Sequence, residues 1–146
     1  AVDWKDMDAV LPYVDMMKLN EHEMRAIMQL NNPKTVAEKL ASYGIREVII
    51  TLGSYGSLIY ADKTYYEIPA YPPQKIVDAT GCGDTYSTGY LYMRSQGATF
   101  QEAGRFASAM CTLKLEHNGP FEGSLNDIKT LIKNTDRLSQ PARIRF

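Results

Sequence analysis

The sequence predicts an α/β fold with a mostly parallel sheet and a hairpin at its edge, and three observations carry this. Val48-Ile49-Ile50-Thr51-Leu52 is a continuous apolar, β-branched run bounded by Gly53, the pattern of a strand buried on both faces. Before it, Thr35 opens a helix with an apolar stripe of Val36, Ala37, Leu40 and Ala41, and Gly44 supplies the left-handed stop. Helix, glycine and buried strand in succession make half of a βαβ unit. After it, Ser57–Ala61 and Thr64–Ile68 flank Asp62-Lys63 as the two arms of a hairpin.

The other elements follow in order. Tyr13 to Leu19 reads as a strand ending at Asn20, with a helix over Glu21 to Gln29. Asn31-Asn32-Pro33 is a turn. Beyond the hairpin, Tyr71-Pro72-Pro73-Gln74 is a loop and Lys75–Val77 a short strand. The remainder reads as helical: Asp84 to Gln96 closed by Gly97, Phe100 to Glu116 before Asn118-Gly119-Pro120, and Asn126 to Asn134. Ala103, Phe106, Ala107, Met110 and Cys111 recur at helical spacing, as core residues do.

Composition bounds the function. The 146 residues are 45% hydrophobic and 23% charged, ordinary for a soluble domain. A chain of this length buries roughly 68–70% of its unfolded surface, enough for one core. A net charge of −1 removes the electrostatic support for a nucleic-acid or anionic-membrane partner. No apolar run approaches the ~18 residues of a membrane span, and Ala1-Val2-Asp3-Trp4 lacks the layout of a signal peptide. Two cysteines, Cys82 and Cys111, form no Cys-x-x-Cys pair, so a reducing, cytoplasmic setting is expected.

Three segments carry candidate chemistry. Asp78-Ala79-Thr80-Gly81-Cys82-Gly83-Asp84 runs straight into an apolar helix. Its glycines let backbone N–H groups converge without a Cβ in the way. At a helix N-terminus those unpaired donors and the helix dipole favour an anion. Asp84 would repel a bound phosphate, which gives it two readings: a helix cap, or a base that takes a proton from an attacking hydroxyl. Thr51-Leu52-Gly53-Ser54-Tyr55-Gly56 turns at the end of the buried strand, where open α/β sheets bind ligands, although a plain strand-to-hairpin turn explains it alone. Asn20 and Glu23 have the spacing of a helix capping box or of a phosphate and magnesium environment. His22 and His117 are not spaced as a zinc motif.

In this order the three segments resemble the ribokinase-type (phosphofructokinase B-type) carbohydrate kinases. Asp78 to Asp84 is similar to that family's Asp-Thr-x-Gly-Ala-Gly-Asp signature, Thr51 to Gly56 to its nucleotide-binding turn, and Asn20 with Glu23 to its Asn-x-x-Glu motif. Phe106-Ala107-Ser108-Ala109, with Gly119 beyond, resembles its Phe-Ala-x-Ala helix and closing glycine. The likeness runs from about Tyr13 to Gly123. It implies the C-terminal part of a three-layer α/β/α sandwich that transfers a phosphoryl group from ATP, with Mg²⁺, to a hydroxyl of a small sugar.

Residue by residue, the resemblance makes Asp84 the base and Gly81, Cys82 and Gly83 the anion hole. Thr51, Gly53, Ser54 and Gly56 would line the ATP site, with Ser108 near the adenosine. Asn20 and Glu23 would stand near the phosphates and Mg²⁺, and Asp78 and Thr80 would bind a monovalent cation such as K⁺, aided by carbonyls near His117 and Gly119. Cys82 replaces the family's alanine, and a thiol at a helix N-terminus is expected to have a lowered pKa. Family members draw their sugar contacts and lid mainly from an N-terminal half, so residues 1–146 are expected to be the nucleotide-binding and catalytic part of one kinase domain. An open sheet edge then predicts docking of that half or self-association as a homo-oligomer. Two alternatives stay open: a silent nucleotide-binding fragment, and a pyrimidine- or pyridoxal-type vitamin kinase.

Overall fold

The computed structural model describes residues 4–139, with side chains described for residues 6–137. The N-terminal Ala1-Val2-Asp3 read above lies outside them. The elements are α1 (Trp4–Asp8), β1 (Met16–Asn20), α2 (Glu21–Met28), α3 (Pro33–Ala41), β2 (Glu47–Thr51), β3 (Ser57–Ala61), β4 (Thr64–Ile68), α4 (Cys82–Ser95), α5 (Phe100–Leu115) and α6 (Leu125–Ser139). Most lie within a few residues of the sequence expectation. β1 starts later because Leu11–Tyr13 closes into a 3-10 turn around Pro12. α3 starts earlier, with Asn32 accepting from the Lys34 amide as its cap and Pro33 in the first turn.

The sheet order is β1-β2-β3-β4. β1 and β2 are parallel, joined through α2 and α3, while β2–β3 and β3–β4 are antiparallel. The expectation of a mostly parallel sheet is corrected on this point: among the described strands one pairing of three is parallel. The reason is connection length. The turn between β2 and β3 is too short for the crossover that a parallel pair requires. The β3–β4 turn places Asp62 at φ 50° and Lys63 at φ 57°, the positive pair that a two-residue hairpin needs. The short strand expected at Lys75–Val77 does not form. Ile76 is 70% exposed, and the Val77 amide donates to the Leu115 carbonyl at the end of α5 instead.

Alternation along the strands sorts the side chains into two cores. Leu19, Val48 and Ile50 face α2 and α3, packing with Met24, Val36, Ala37 and Leu40. Ile49, Ile59 and Ile68 face α4 and α5, packing with Tyr86, Tyr90, Ala103 and Ala107. Helices therefore cover both faces of the sheet, giving a three-layer α/β/α arrangement. α6 closes over a third cluster of Tyr71, Phe106, Ala109 and Ile128.

Polar ties fix the direction of α4. Near its C-terminus, Arg94 donates to Glu47 at 2.9 Å and Tyr90 donates to the same carboxylate at 2.7 Å. Glu47 begins β2, so α4 runs back along the parallel pair and its N-terminus reaches the carboxyl ends of β1 and β2. The seat of α5 is equally tight: a Cβ on Gly104 would come 2.6 Å from Ile59 Cδ1 and 2.8 Å from Ile68 Cγ1. Gly104→Val is expected to destabilise the fold by about 1–3 kcal/mol through overpacking, read as a lower urea midpoint with an unchanged slope.

Candidate active site

Three elements converge at the carboxyl end of the parallel pair. Asn20 and Thr51, the last residues of β1 and β2, are register partners. Asn20 also caps α2: its Oδ1 accepts from the Glu23 amide at 2.8 Å, and Glu23 Oε2 accepts from the Asn20 amide at 2.9 Å. The capping box therefore forms, and it fixes Glu23 beside the strand end. From Thr51 the chain enters the Gly53–Tyr55 turn, closed by the Leu52 amide donating to the Gly56 carbonyl at 2.8 Å. Gly56 has φ +91°, and a Cβ there would lie 2.0 Å from the Ile68 carbonyl oxygen. Only glycine lets this turn lie against the end of β4.

The N-terminus of α4 supplies the third element. Gly81 is its cap residue at φ 79°, and the Cys82 amide reaches the Ala79 carbonyl by a long 3.3 Å bond. The amides of Gly83 and Asp84 have no backbone acceptor among the described residues, so two donors of the first turn are open to an anion. Lys18 stands beside them: a Cβ on Gly83 would lie 3.5 Å from its Nζ. This ammonium was missed in the sequence, where it is one lysine in a short apolar strand. Its signal is the pleat, which puts Met16, Lys18 and Asn20 on one face of β1, the face that α4 covers. Asp84 is exposed at the mouth of this site.

The loop before α4 is held from α5. Asp78 Oδ1 accepts from the Thr80 amide at 2.9 Å, and Lys114 Nζ donates to the Asp78 carbonyl at 2.9 Å and to Oδ2 at 3.3 Å. The Gly119 amide reaches Oδ2 at 3.4 Å. Contacts from Thr80 first, then Lys114, hold this carboxyl well below the usual carboxylate range. Lys114 is 2% exposed. It too was missed, because its position in an apolar helix gives no hint of its partner.

The remaining expectations divide. Ser108 is buried, and its hydroxyl donates to the Pro69 carbonyl at 2.8 Å, tying the exit of β4 to α5. The expected low pKa of Cys82 is corrected: desolvation pushes this half-buried thiol up, against the smaller opposing pull of Lys114. Cys111, whose thiol donates to the Cys82 carbonyl at 3.2 Å, is pushed up to about 12 by burial. No group of three or more His, Cys, Asp or Glu placed to hold a metal ion occurs among the described residues. An open groove of about 850 Å³ lies between the 117–123 loop and α6, with Lys114, His117, Phe121, Asn126 and Asn134 among its lining. It contains none of the residues expected to line the ATP site, and it touches the α4 loop only through Lys114.

Known proteins place this geometry. The pattern of the pfkB family carbohydrate kinases matches residues 2–127. A cytidine kinase of Thermococcus kodakarensis is 36% identical over 98 residues, covering 66% of this chain and 35% of its own length. A ribokinase of Lactococcus lactis is 26% identical over 129 residues, covering 87% of this chain and 41% of its own. The crystal structure of an E. coli protein described as a ribokinase II, in complex with ATP and Mg²⁺, matches with a TM-score of 0.78 and 26% identity over 90% of this chain and 43% of that one. The chain thus spans less than half the length of these relatives. With the family pattern covering most of its residues and the α/β/α fold shared, the chain belongs to the pfkB family of carbohydrate kinases.

Proposed function

We propose that the protein containing this chain transfers a phosphoryl group from ATP to a hydroxyl of a small sugar or of a nucleoside's sugar. The observation that carries this is the pair of open amides at Gly83 and Asp84 with the Lys18 ammonium beside them, at the carboxyl ends of β1 and β2. Phosphoryl transfer needs positioning and charge stabilisation more than covalent chemistry. Fixed N–H donors and an ammonium supply the stabilisation, since they need no reorganisation as charge develops. The donor set sharpens the expected anion hole: Gly83 and Asp84 amides act together, and the Cys82 amide serves the turn. Asp84, on the same first turn, accepts the proton of the attacking hydroxyl.

The turn from Thr51 through Gly53 and Ser54 to Gly56 is the proposed floor for the nucleotide. Mg²⁺ binds through one or two carboxylates, waters and substrate phosphates rather than an all-protein cage. The Glu23 carboxylate, held beside the end of β1 by the Asn20 cap, suits that, and the ion would neutralise phosphate charge there. The cytidine kinase and ribokinase relatives act on sugar-bearing substrates by name, which favours that acceptor class over a vitamin. The outer edge of β1, unpaired among the described strands, is the proposed seat for further sequence of the family domain or for a second copy. The 146-residue chain alone is proposed to bind ATP without turnover; sugar-dependent ADP release by this chain would defeat that part.

In the whole protein, Asp84→Asn is expected to lower kcat by roughly 10²–10⁴-fold while ATP affinity stays within a few-fold. Near-normal kcat would remove Asp84 from the mechanism. Lys18→Met is expected to lower kcat by roughly 10²-fold, the cost of one lost donor to developing charge; a change in ATP affinity alone, with kcat intact, would assign Lys18 to ground-state binding. Because burial raises the Cys82 pKa, iodoacetamide should label this thiol more slowly in the folded protein than in urea, and more slowly still with ATP bound. Peptide mapping of the labelled protein reads both differences.

A further inference from the structure

The family resemblance implies a monovalent cation on Asp78 and Thr80, and the residues present do not fit one. Such an ion would need the Asp78 oxygens, and each already has a partner. Its carbonyl and Oδ2 accept from Lys114 Nζ at 2.9 and 3.3 Å, and Oδ1 accepts from the Thr80 amide at 2.9 Å. Lys114 is 2% exposed, so its charge lies inside the loop rather than in solvent. A potassium ion added at these oxygens would meet the like charge of Lys114 Nζ, which already occupies the Asp78 carbonyl and Oδ2, so ion and ammonium would compete for the same acceptors while repelling each other.

We propose that the Lys114 ammonium is a built-in monovalent cation, which fixes the loop leading into the anion hole and makes the enzyme indifferent to potassium. The ammonium carries the same single charge as the ion, and two of its three donors go to the same kind of oxygens. Unlike the ion, it is tethered to α5 and cannot dissociate. Its hold on Asp78 is reinforced by the neighbouring Leu115 carbonyl, which accepts from the amides of Val77 and Asp78 at 2.7 and 3.2 Å. The C-terminal turn of α5 thereby sets where the chain enters Gly81, and with it the open amides of Gly83 and Asp84. Lys114 is thus a positioning residue, acting on the reaction through the loop.

The test compares potassium chloride with choline chloride at equal ionic strength on the intact protein, by thermal unfolding and by phosphoryl-transfer rate. The melting measurement does not depend on the kinase reading, so the two can fail separately. The wild-type protein is expected to show the same Tm and rate in both salts. Lys114→Ala is expected to lose several degrees in Tm, through the lost packing of a buried side chain and its two hydrogen bonds to Asp78, and more than tenfold in kcat. Potassium or methylammonium should restore part of each, while Lys114→Arg should remain indifferent to potassium. A wild-type rate or Tm that rises with potassium would overturn the proposal. So would a folded Lys114→Ala protein that no monovalent cation improves. If Lys114→Ala does not fold, the wild-type and Lys114→Arg measurements decide alone: potassium dependence in either overturns it, and its absence in both supports it.

Discussion

The architecture depends on the two-sided burial of β2. Val48, Ile49 and Ile50 have no exposed surface, and alternation sends them to opposite faces of the sheet. Neither face can be left to water, so each takes a helical layer: α2 and α3 over Val48 and Ile50, α4 and α5 over Ile49. Once α4 must cover the second face and run back along the strands, its N-terminus has one place to arrive, the carboxyl ends of β1 and β2. The proposed anion site follows from this packing, because an unpaired helix start is brought to the strand ends where the glycine turn and the Asn20 cap already lie.

Polar contacts convert that packing into a defined position. At one end of α4, Glu47 binds Tyr90 and Arg94 with side chains that are mostly buried. At the other, the Tyr86 and Ser57 hydroxyls bond at 2.7 Å in the interior, which ties the exit of the glycine turn to the helix that faces it. Burial raises the Tyr86 pKa, so this link stays neutral and intact through the physiological range. Interactions of this kind add modestly to stability when made and cost more when one partner is lost. Their larger effect here is geometric: the helix is held to the sheet at both ends, so its first turn cannot drift from Thr51 and Gly56.

Much of this could be read from the sequence, and the reasons differ by residue. Gly56 was legible as part of a glycine turn, because positive φ is a local requirement, while its close approach to the Ile68 carbonyl on β4 was not. Asn20 with Glu23 was legible as a capping box for the same reason, and the structure forms the box while also placing it at the site. Gly81 to Asp84 suggested a helix start open to an anion through its glycines, and the structure leaves the Gly83 and Asp84 amides without a backbone acceptor among the described residues. Lys18 and Lys114 were not legible, since each acts on a partner far away in sequence, Gly83 and Asp78 respectively. Lys75–Val77 misled because β-branched composition fits a strand, while the available partner was the Leu115 carbonyl of α5. Cys82 misled in another way: position at a helix N-terminus argued for a low pKa, while burial of the thiol, invisible in the sequence, pushes it up.

The two lysines also reconcile the proposed anion site with a chain of net charge −1 and no basic patch. A phosphate-binding surface built from many exposed lysines would attract any polyanion and would weaken steeply with salt. Here Lys114 is buried and its charge is matched by Asp78, so it contributes little field outside the loop and serves to hold the backbone. Lys18 is partly buried on the inner face of β1, with its ammonium beside the first turn of α4. The remaining attraction comes from oriented amides, whose partial charges act over one turn and fade beyond it. In the proposed function an anion is recognised by fitting between the strand ends and the helix start, and the short range of the amides favours a group of phosphoryl size.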